Sequence, residues 1–186
     1  MIGYAICGSF CTHRASLLQR ESLVSRGFEV LPVMSEIVYG TNTRFGEAAE
    51  LVRRVEEICG RRVVHSIVDA EPLGPSIELD AMIICPCTGN TLAKLATGIT
   101  DTAVCMAAKA HLRSDRPLLI ALSTNDALSA NMKNIGTMLE KKNVYFVPMK
   151  QDDPILKPHS LVAELSLLPQ ALKAAMVGKQ LPKIFC

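Results

Sequence analysis

The chain has 186 residues, of which 49% are hydrophobic and 20% charged, with a formal net charge of +2. That is enough for one core-rich domain, and the interspersed charges exclude the concentrated basic face of a nucleic-acid binder. No apolar run approaches the roughly 18–20 residues a membrane helix needs. Residues 1–7 carry no basic leader, so no signal peptide is expected, and seven scattered cysteines suit a reducing cytoplasm rather than a disulfide framework.

Taken in order, Ile2 to Cys7 is a short apolar run that predicts a strand. Arg14 to Arg26 places Leu17, Leu18 and Val24 inward and closes on Gly27, a helix with its stop signal. Glu29 to Val33 predicts a second strand, where Pro32 argues for a strand end or an irregularity. From Phe45 to Cys59, Ala48, Leu51, Val52, Val55 and Ile58 recur at helical spacing before Gly60. Arg62 to His65 reads as a short third strand, and residues 66–79, with Pro72, Gly74 and Pro75, as loop. Ala81 to Cys85 is a fourth strand, Asn90 to Thr97 a helix, and a further helix runs from after Asp101 to about Leu112. Leu118 to Leu122 predicts a fifth strand, Ser129 to Lys142 a helix, and Val144 to Val147 another strand. Beyond Pro154 and Pro158, Leu161, Leu165, Leu168 and Leu172 predict a last helix over residues 161–177.

Apolar strands separated by helices imply an α/β fold, a three-layer Rossmann-like or flavodoxin-like open parallel sheet with helices on both faces. No repeat or linker divides the chain. Residues 1–178 are therefore expected as one domain, and 179–186 as a tail, disordered or laid on a neighbouring molecule.

In such a sheet, ligands bind outside the carboxyl ends of the strands. The first strand empties into Gly8-Ser9-Phe10-Cys11-Thr12-His13, which offers a glycine for close approach and two hydroxyls for a phosphate. It lacks the Gly-x-Gly-x-x-Gly dinucleotide fingerprint. The fourth strand empties into Pro86-Cys87-Thr88-Gly89-Asn90-Thr91 at a helix start. Free amides and the positive helix end there suit an anion. Ser35 and the run Ser123-Thr124-Asn125-Asp126 share the same edge and are placed to reach a ring or ribose. The same residue types serve structure alone. Ser9, Thr12, Thr88 and Thr91 suit caps and turns, Asp101 suits the cap of its own helix, and His13 suits a cap or a surface position. Lys94, beside the anion turn, suits a ligand contact and an ordinary surface lysine equally well. Cys85 and Cys87 have no third ligand nearby, so no metal site is expected. Cys87 at a helix start admits a redox role but reads more simply as a loop cysteine.

The run from Pro86 to Asp101 resembles the signature of the flavoprotein superfamily that includes phosphopantothenoylcysteine decarboxylase and the lantibiotic decarboxylases. There, a Pro-Ala-Ser/Thr-Ala-Asn-Thr turn precedes an Ala-Lys helix and a Gly-x-x-Asp. Gly8-Ser9 is similar to their flavin-phosphate loop, and Ser35 to their second-strand Ser/Thr. Within that superfamily, Thr88 to Lys94, Met106 to Arg113, Ser123 to Leu128, Lys133 to Gly136, Phe146 to Pro148, Gln151 to Pro154, Lys157-Pro158 and Ser160-Leu161 resemble the family of dipicolinate synthase B subunits. The likeness runs from the first strand to about residue 170.

The resemblance implies flavin mononucleotide (FMN) held by Gly8, Ser9, Thr12, Ser35, Pro86, Cys87, Thr88, Gly89, Asn90, Thr91, Ser123 and Thr124. It implies a small dicarboxylate substrate near Lys94, Asn125, Asp126 and Lys133, and assigns no catalytic residue. It further implies a partner, the A subunit of dipicolinate synthase, that carries NAD(P). A trimer-based homo-oligomer is implied as well, as is oxidation of a dihydrodipicolinate-pathway intermediate to dipicolinate in the mother-cell cytoplasm during sporulation. The decarboxylases carry a catalytic histidine shortly before the fourth strand. Residues 71–79 here contain none, which argues against decarboxylation. Ser123 to Asp126 replaces the relatives' Pro-x-Met-Asn, and Gly89 replaces their alanine, giving the turn backbone freedom. A non-catalytic or regulatory partner of the nicotinamide-binding subunit is the alternative reading.

Overall fold

The computed structural model describes residues 1–186. The elements are β1 (Ile2–Ile6), α1 (His13–Ser25), β2 (Val30–Met34), α2 (Glu36–Gly40), α3 (Ala48–Cys59), α4 (Ile67–Ala70), β3 (Ala81–Cys87), α5 (Gly89–Thr97), α6 (Ala103–Leu112), β4 (Leu118–Thr124), α7 (Met132–Glu140), β5 (Val144–Phe146), β6 (Met149–Asp153), β7 (Lys157–Ala163) and α8 (Leu168–Met176). No helix is long and apolar enough to cross a membrane.

β2, β1, β3, β4 and β5 pair in parallel in that spatial order, with β1 beside both β2 and β3. The order 2-1-3-4-5 puts the topological switch between β1 and β3, where ligands of such sheets sit. Every residue of β1, β2 and β3 is buried, as expected for strands covered on both faces. Alternate residues divide between the two sides. Met82, Ile84, Leu118 and Ile120 pack with α5, α6 and α7, whereas Ala81, Ile83, Cys85 and Leu119 pack with Leu23 of α1 and Leu168 and Leu172 of α8. A third cluster joins Ile6, Leu17 and Met34 to Val55 of α3. Pro32 lies inside β2 rather than at its end. Its carbonyl faces Val64 on the outer side of this edge strand, so the missing amide leaves the ladder to β1 whole.

The sheet is not wholly parallel. β5 stops at Phe146 and leaves the last residues of β4 without a partner on that side. β7 fills the gap, pairing Ser123 with Val162 and Thr124 with Leu161 in antiparallel fashion, and β6 follows outside it. The helix expected over 161–177 is therefore a strand, a short 3-10 turn and α8. Its leucine spacing mimics one helical stripe, but Leu161 belongs to one face of the sheet and Leu168 and Leu172 to the other. The third strand expected at 62–65 reduces to a single bridge between Val64 and Val33. The expected loop 66–79 contains α4, capped by Ser66, whose hydroxyl accepts from the Asp69 amide at 3.1 Å.

Residues 179–186 lie on their own chain. Gln180 donates to the Phe146 carbonyl (2.7 Å) and accepts from the Phe146 amide (2.8 Å), and Met149 bonds Ile184 and Cys186 through the backbone. The tail thus covers an edge that β5 would leave open.

Candidate functional site

The turns after β1, β3 and β4 meet at the switch point. The Cys7 amide donates to the Pro86 carbonyl at 3.1 Å, and the Thr91 hydroxyl donates to the Cys7 sulfur at 3.3 Å. The hydroxyl of Ser123 lies 2.9 Å from that of Ser9 and 3.0 Å from that of Thr12, which are 3.3 Å from each other. Each hydroxyl carries a rotatable proton, so the cluster can turn its donors toward an oxyanion. At the start of α5, Thr88 Oγ1 accepts from the Thr91 amide at 3.2 Å. The amides of Gly89 and Asn90 then have no intrahelical acceptor at the positive end of the helix.

These turns wall a cavity of about 650 Å³. Of the residues expected at the ligand, Gly8, Ser9, Thr88, Gly89, Asn90, Ser123, Thr124, Asn125 and Asp126 line it. The others stand elsewhere. Thr12 is not part of the wall and reaches it through Ser9 and Ser123. Pro86 and Cys87 form the buried end of β3 because the strand runs two residues further than its apolar run suggests. Thr91 is buried and turned inward to Cys7 and Thr88. Lys94 is ion-paired with Asp101 at 2.8 Å, and Lys133 is exposed on α7. Asp101 therefore does not cap α6; Thr102 does, accepting from the Cys105 amide at 3.2 Å. Ser35 lies at the end of β2, its amide bonded to the Ile6 carbonyl and its buried hydroxyl without a partner.

Gly89 is required by close approach, not by an unusual backbone conformation. A Cβ there would lie 2.5 Å from both Thr124 Oγ1 and Asn131 Nδ2, and 2.9 Å from Asp126 Oδ1. Those atoms are fixed by one another: Thr124 donates to Asp126 at 2.5 Å, Asn131 donates to Asp126 at 2.8 Å, and Asn134 donates to Asn131 at 2.8 Å. Both Asp126 oxygens are thus engaged in bracing the loop between β4 and α7, which packs beside Gly89.

Other lining residues were not legible as ligand contacts, among them Arg44, Phe45, Asp152 and Lys157. Lys157 and Asp152 pair at 2.5 Å across the β6–β7 hairpin. The hairpin had a local signal. In Asp153-Pro154, the Asp153 carboxylate accepts from the amides of Ile155 and Leu156 at 3.0 and 2.9 Å, a turn that aspartate before proline favours. Arg44 and Phe45 carry no comparable local mark. A second cavity of about 400 Å³ adjoins the first, sharing Phe10, Cys11 and Phe45.

His13 borders that second cavity and is buried, not exposed. Its Nε2 is 2.8 Å from the Cys7 carbonyl, so Nε2 carries the proton, and burial holds the imidazolium pKa below its ordinary value. Burial raises the Cys7 thiol to about 12 and the Cys87 thiol well above its usual range, so neither is a ready thiolate. No three His, Cys, Asp or Glu side chains gather in a geometry for a metal ion.

Hydroxyls on two loops, an open helix start and a buried, unpartnered serine hydroxyl suit a phosphorylated ring cofactor, and the cavity is in the size range that holds one. Comparison with known proteins agrees. Residues 2–164 match the flavoprotein family. The B subunit of dipicolinate synthase from Bacillus subtilis (strain 168) is 49% identical over 183 residues, covering 98% of this chain and 92% of that protein. The crystal structure of the dipicolinate synthase B subunit from Bacillus halodurans C superposes with a TM-score of 0.91 at 42% identity, over 100% of this chain and 95% of that one. The FMN-dependent cysteine decarboxylase SpaF is similar at 25% identity and a TM-score of 0.65, over 94% and 95% of the two chains.

Proposed function

The chain belongs to the flavoprotein family, on the branch of dipicolinate synthase B subunits, and we propose that it is the flavin-binding subunit of a two-subunit oxidoreductase that forms dipicolinate. The observation that carries this reading is the convergence of the β1, β3 and β4 turns on one cavity, in a chain 49% identical to a subunit of that synthase. Ser9 and Ser123, with Thr12 behind them, would hold the flavin phosphate together with the α5 amides. Ser35, Thr88, Asn90 and Thr124 would meet the ribityl chain and ring. A bound flavin mononucleotide supplies a two-electron carrier for removing hydrogen from a dihydropyridine ring. The chain's residues orient and shield the reactants.

The synthase's other polypeptide, its A subunit, would carry NAD(P), and the reaction would run in the mother-cell cytoplasm of a sporulating bacterium. The charged residues of the lining do not offer an unengaged acid or base: Asp126 is tied to Thr124 and Asn131, and Asp152 to Lys157. Ile155 and Leu156 at the β6–β7 tip are 88% and 81% exposed, which favours an assembly with further copies or with the nicotinamide-binding partner.

Decarboxylation is disfavoured because the 71–79 segment, where the decarboxylases carry histidine, has none. Leu73 and Leu79 anchor that segment in the core, while Glu71 and residues 75–78 are exposed.

The test is reconstitution of both polypeptides with the dihydrodipicolinate precursor, omitting one nucleotide at a time, alongside the visible spectrum of the purified protein with and without FMN. A stoichiometric yellow complex, and dipicolinate formation that requires FMN, are expected. A colourless protein that restores activity only through its nicotinamide-binding partner would instead make this chain a non-catalytic component.

A further inference from the structure

Four charged side chains line the main cavity, and three of them are satisfied: Asp126 by Thr124 and Asn131, and Lys157 and Asp152 by each other. Arg44 is the exception. It forms no ion pair and no side-chain hydrogen bond, and its guanidinium lies 4.9 Å from the centroid of the Phe45 ring.

The loop that carries it is built rather than loose. Thr43 and Gly46 exchange backbone hydrogen bonds of 3.0 and 3.1 Å, the Thr43 hydroxyl accepts from the Phe45 amide at 3.1 Å, and Asn42 accepts from the Ala48 amide at 2.9 Å, tying the loop to the start of α3. An arginine displayed this way stands on an ordered backbone with its planar fork free. Such a fork matches a carboxylate in bidentate fashion. The exposed Phe45 ring beside it offers a flat apolar face to a ring-shaped ligand.

We infer that Arg44 anchors one carboxylate of the substrate, a small planar ring acid, and that this contact makes the site select a dicarboxylate over a monocarboxylate. The inference rests on the reading of the cavity as a flavin-dependent dipicolinate-forming site. It moves carboxylate recognition away from Lys94, which is paired with Asp101, and Lys133, which does not line the cavity.

The test separates cofactor from substrate. FMN is titrated into wild type, Arg44→Gln and Arg44→Lys. Each flavin-loaded protein, alone and mixed with the nicotinamide-binding partner, is then titrated with dipicolinate and with picolinate. The perturbed flavin absorption band is the readout. The expected result is unchanged FMN affinity, dipicolinate binding weakened at least tenfold in Arg44→Gln and partly restored in Arg44→Lys, and a dipicolinate preference over picolinate that shrinks with it. Wild-type dipicolinate affinity in Arg44→Gln overturns the inference and leaves the proposed function standing. Loss of FMN in that variant also overturns it, assigning Arg44 to the cofactor. Wild-type protein that takes up FMN but binds neither acid, even with its partner present, overturns the dicarboxylate site as a whole.

Discussion

Ser9 and Ser123 stand 114 residues apart in the chain and bring their hydroxyls to 2.9 Å. The contact joins the turn after β1 to the end of β4 across the intervening β3. It lets two weak local patterns, each adequate for a helix cap, act as one donor cluster. Replacing Ser123 with alanine removes the member common to both short contacts. A charge-assisted hydrogen bond contributes about 1.5–3 kcal/mol, so FMN affinity in Ser123→Ala should fall roughly tenfold or more, read by quenching of flavin fluorescence on titration.

Ser35 separates stability from binding. Its buried hydroxyl has no partner, so Ser35→Ala removes an unsatisfied group, and the flavin-free protein should unfold at the same temperature or slightly higher. If the hydroxyl meets the cofactor, FMN affinity falls while stability does not. A variant that loses stability without FMN would show that the hydroxyl has a structural partner.

Gly89→Ala sets two effects against each other. Alanine favours the helix by up to about 1 kcal/mol, but its Cβ would strike Thr124 and Asn131, both locked on Asp126. Overpacking against fixed atoms costs about 1–3 kcal/mol, so the clash wins. The thermal midpoint should drop by about 2–4 °C per kcal/mol, with FMN binding weakened as α5 shifts.

The pH dependence of stability should come from buried histidines. His13 and His111 are both held below the ordinary 6.5 by burial, and His111 Nε2 donates to the Pro117 carbonyl at 2.9 Å. Between their folded values and 6.5 the unfolded chain binds more protons, so stability rises with pH across that window and levels off above it. The urea midpoint should be lower at pH 5.5 than at pH 7.5. In His111→Gln, which keeps a donor for Pro117 but cannot titrate, the difference should shrink.

Thiol reactivity should follow burial. Cys11 and Cys186 are exposed, Cys59 is half-buried, and Cys7, Cys85, Cys87 and Cys105 are buried with raised pKa values. Alkylation of the native protein followed by peptide mapping should label Cys11 and Cys186 quickly, Cys59 slowly, and the other four only on unfolding. Rapid labelling of Cys87 would reopen a redox role for it.

The amino-acid sequence by itself determined the alternation of strand and helix, the covered parallel sheet and the turns at its switch point. Apolar runs, glycine stops and helix-start hydroxyls are local signals, and chain order places their products. It also carried the family likeness, and with it most of the cavity's wall. Three-dimensional packing decided the rest. The Leu161 to Leu172 spacing is equally good for one helix and for a strand followed by a helix, and only the open edge of β4 beyond Phe146 selects the strand. Lys94 and Asp126 had the right chemistry for a ligand, yet the fold commits both to other partners, and it leaves Arg44, unremarkable in its own stretch of chain, with its charge uncompensated beside the cavity. The partners of Lys94 and Asp126 stand only two to seven residues away, but the folded turns bring them into reach, and no residue-type pattern encodes which polar groups remain free.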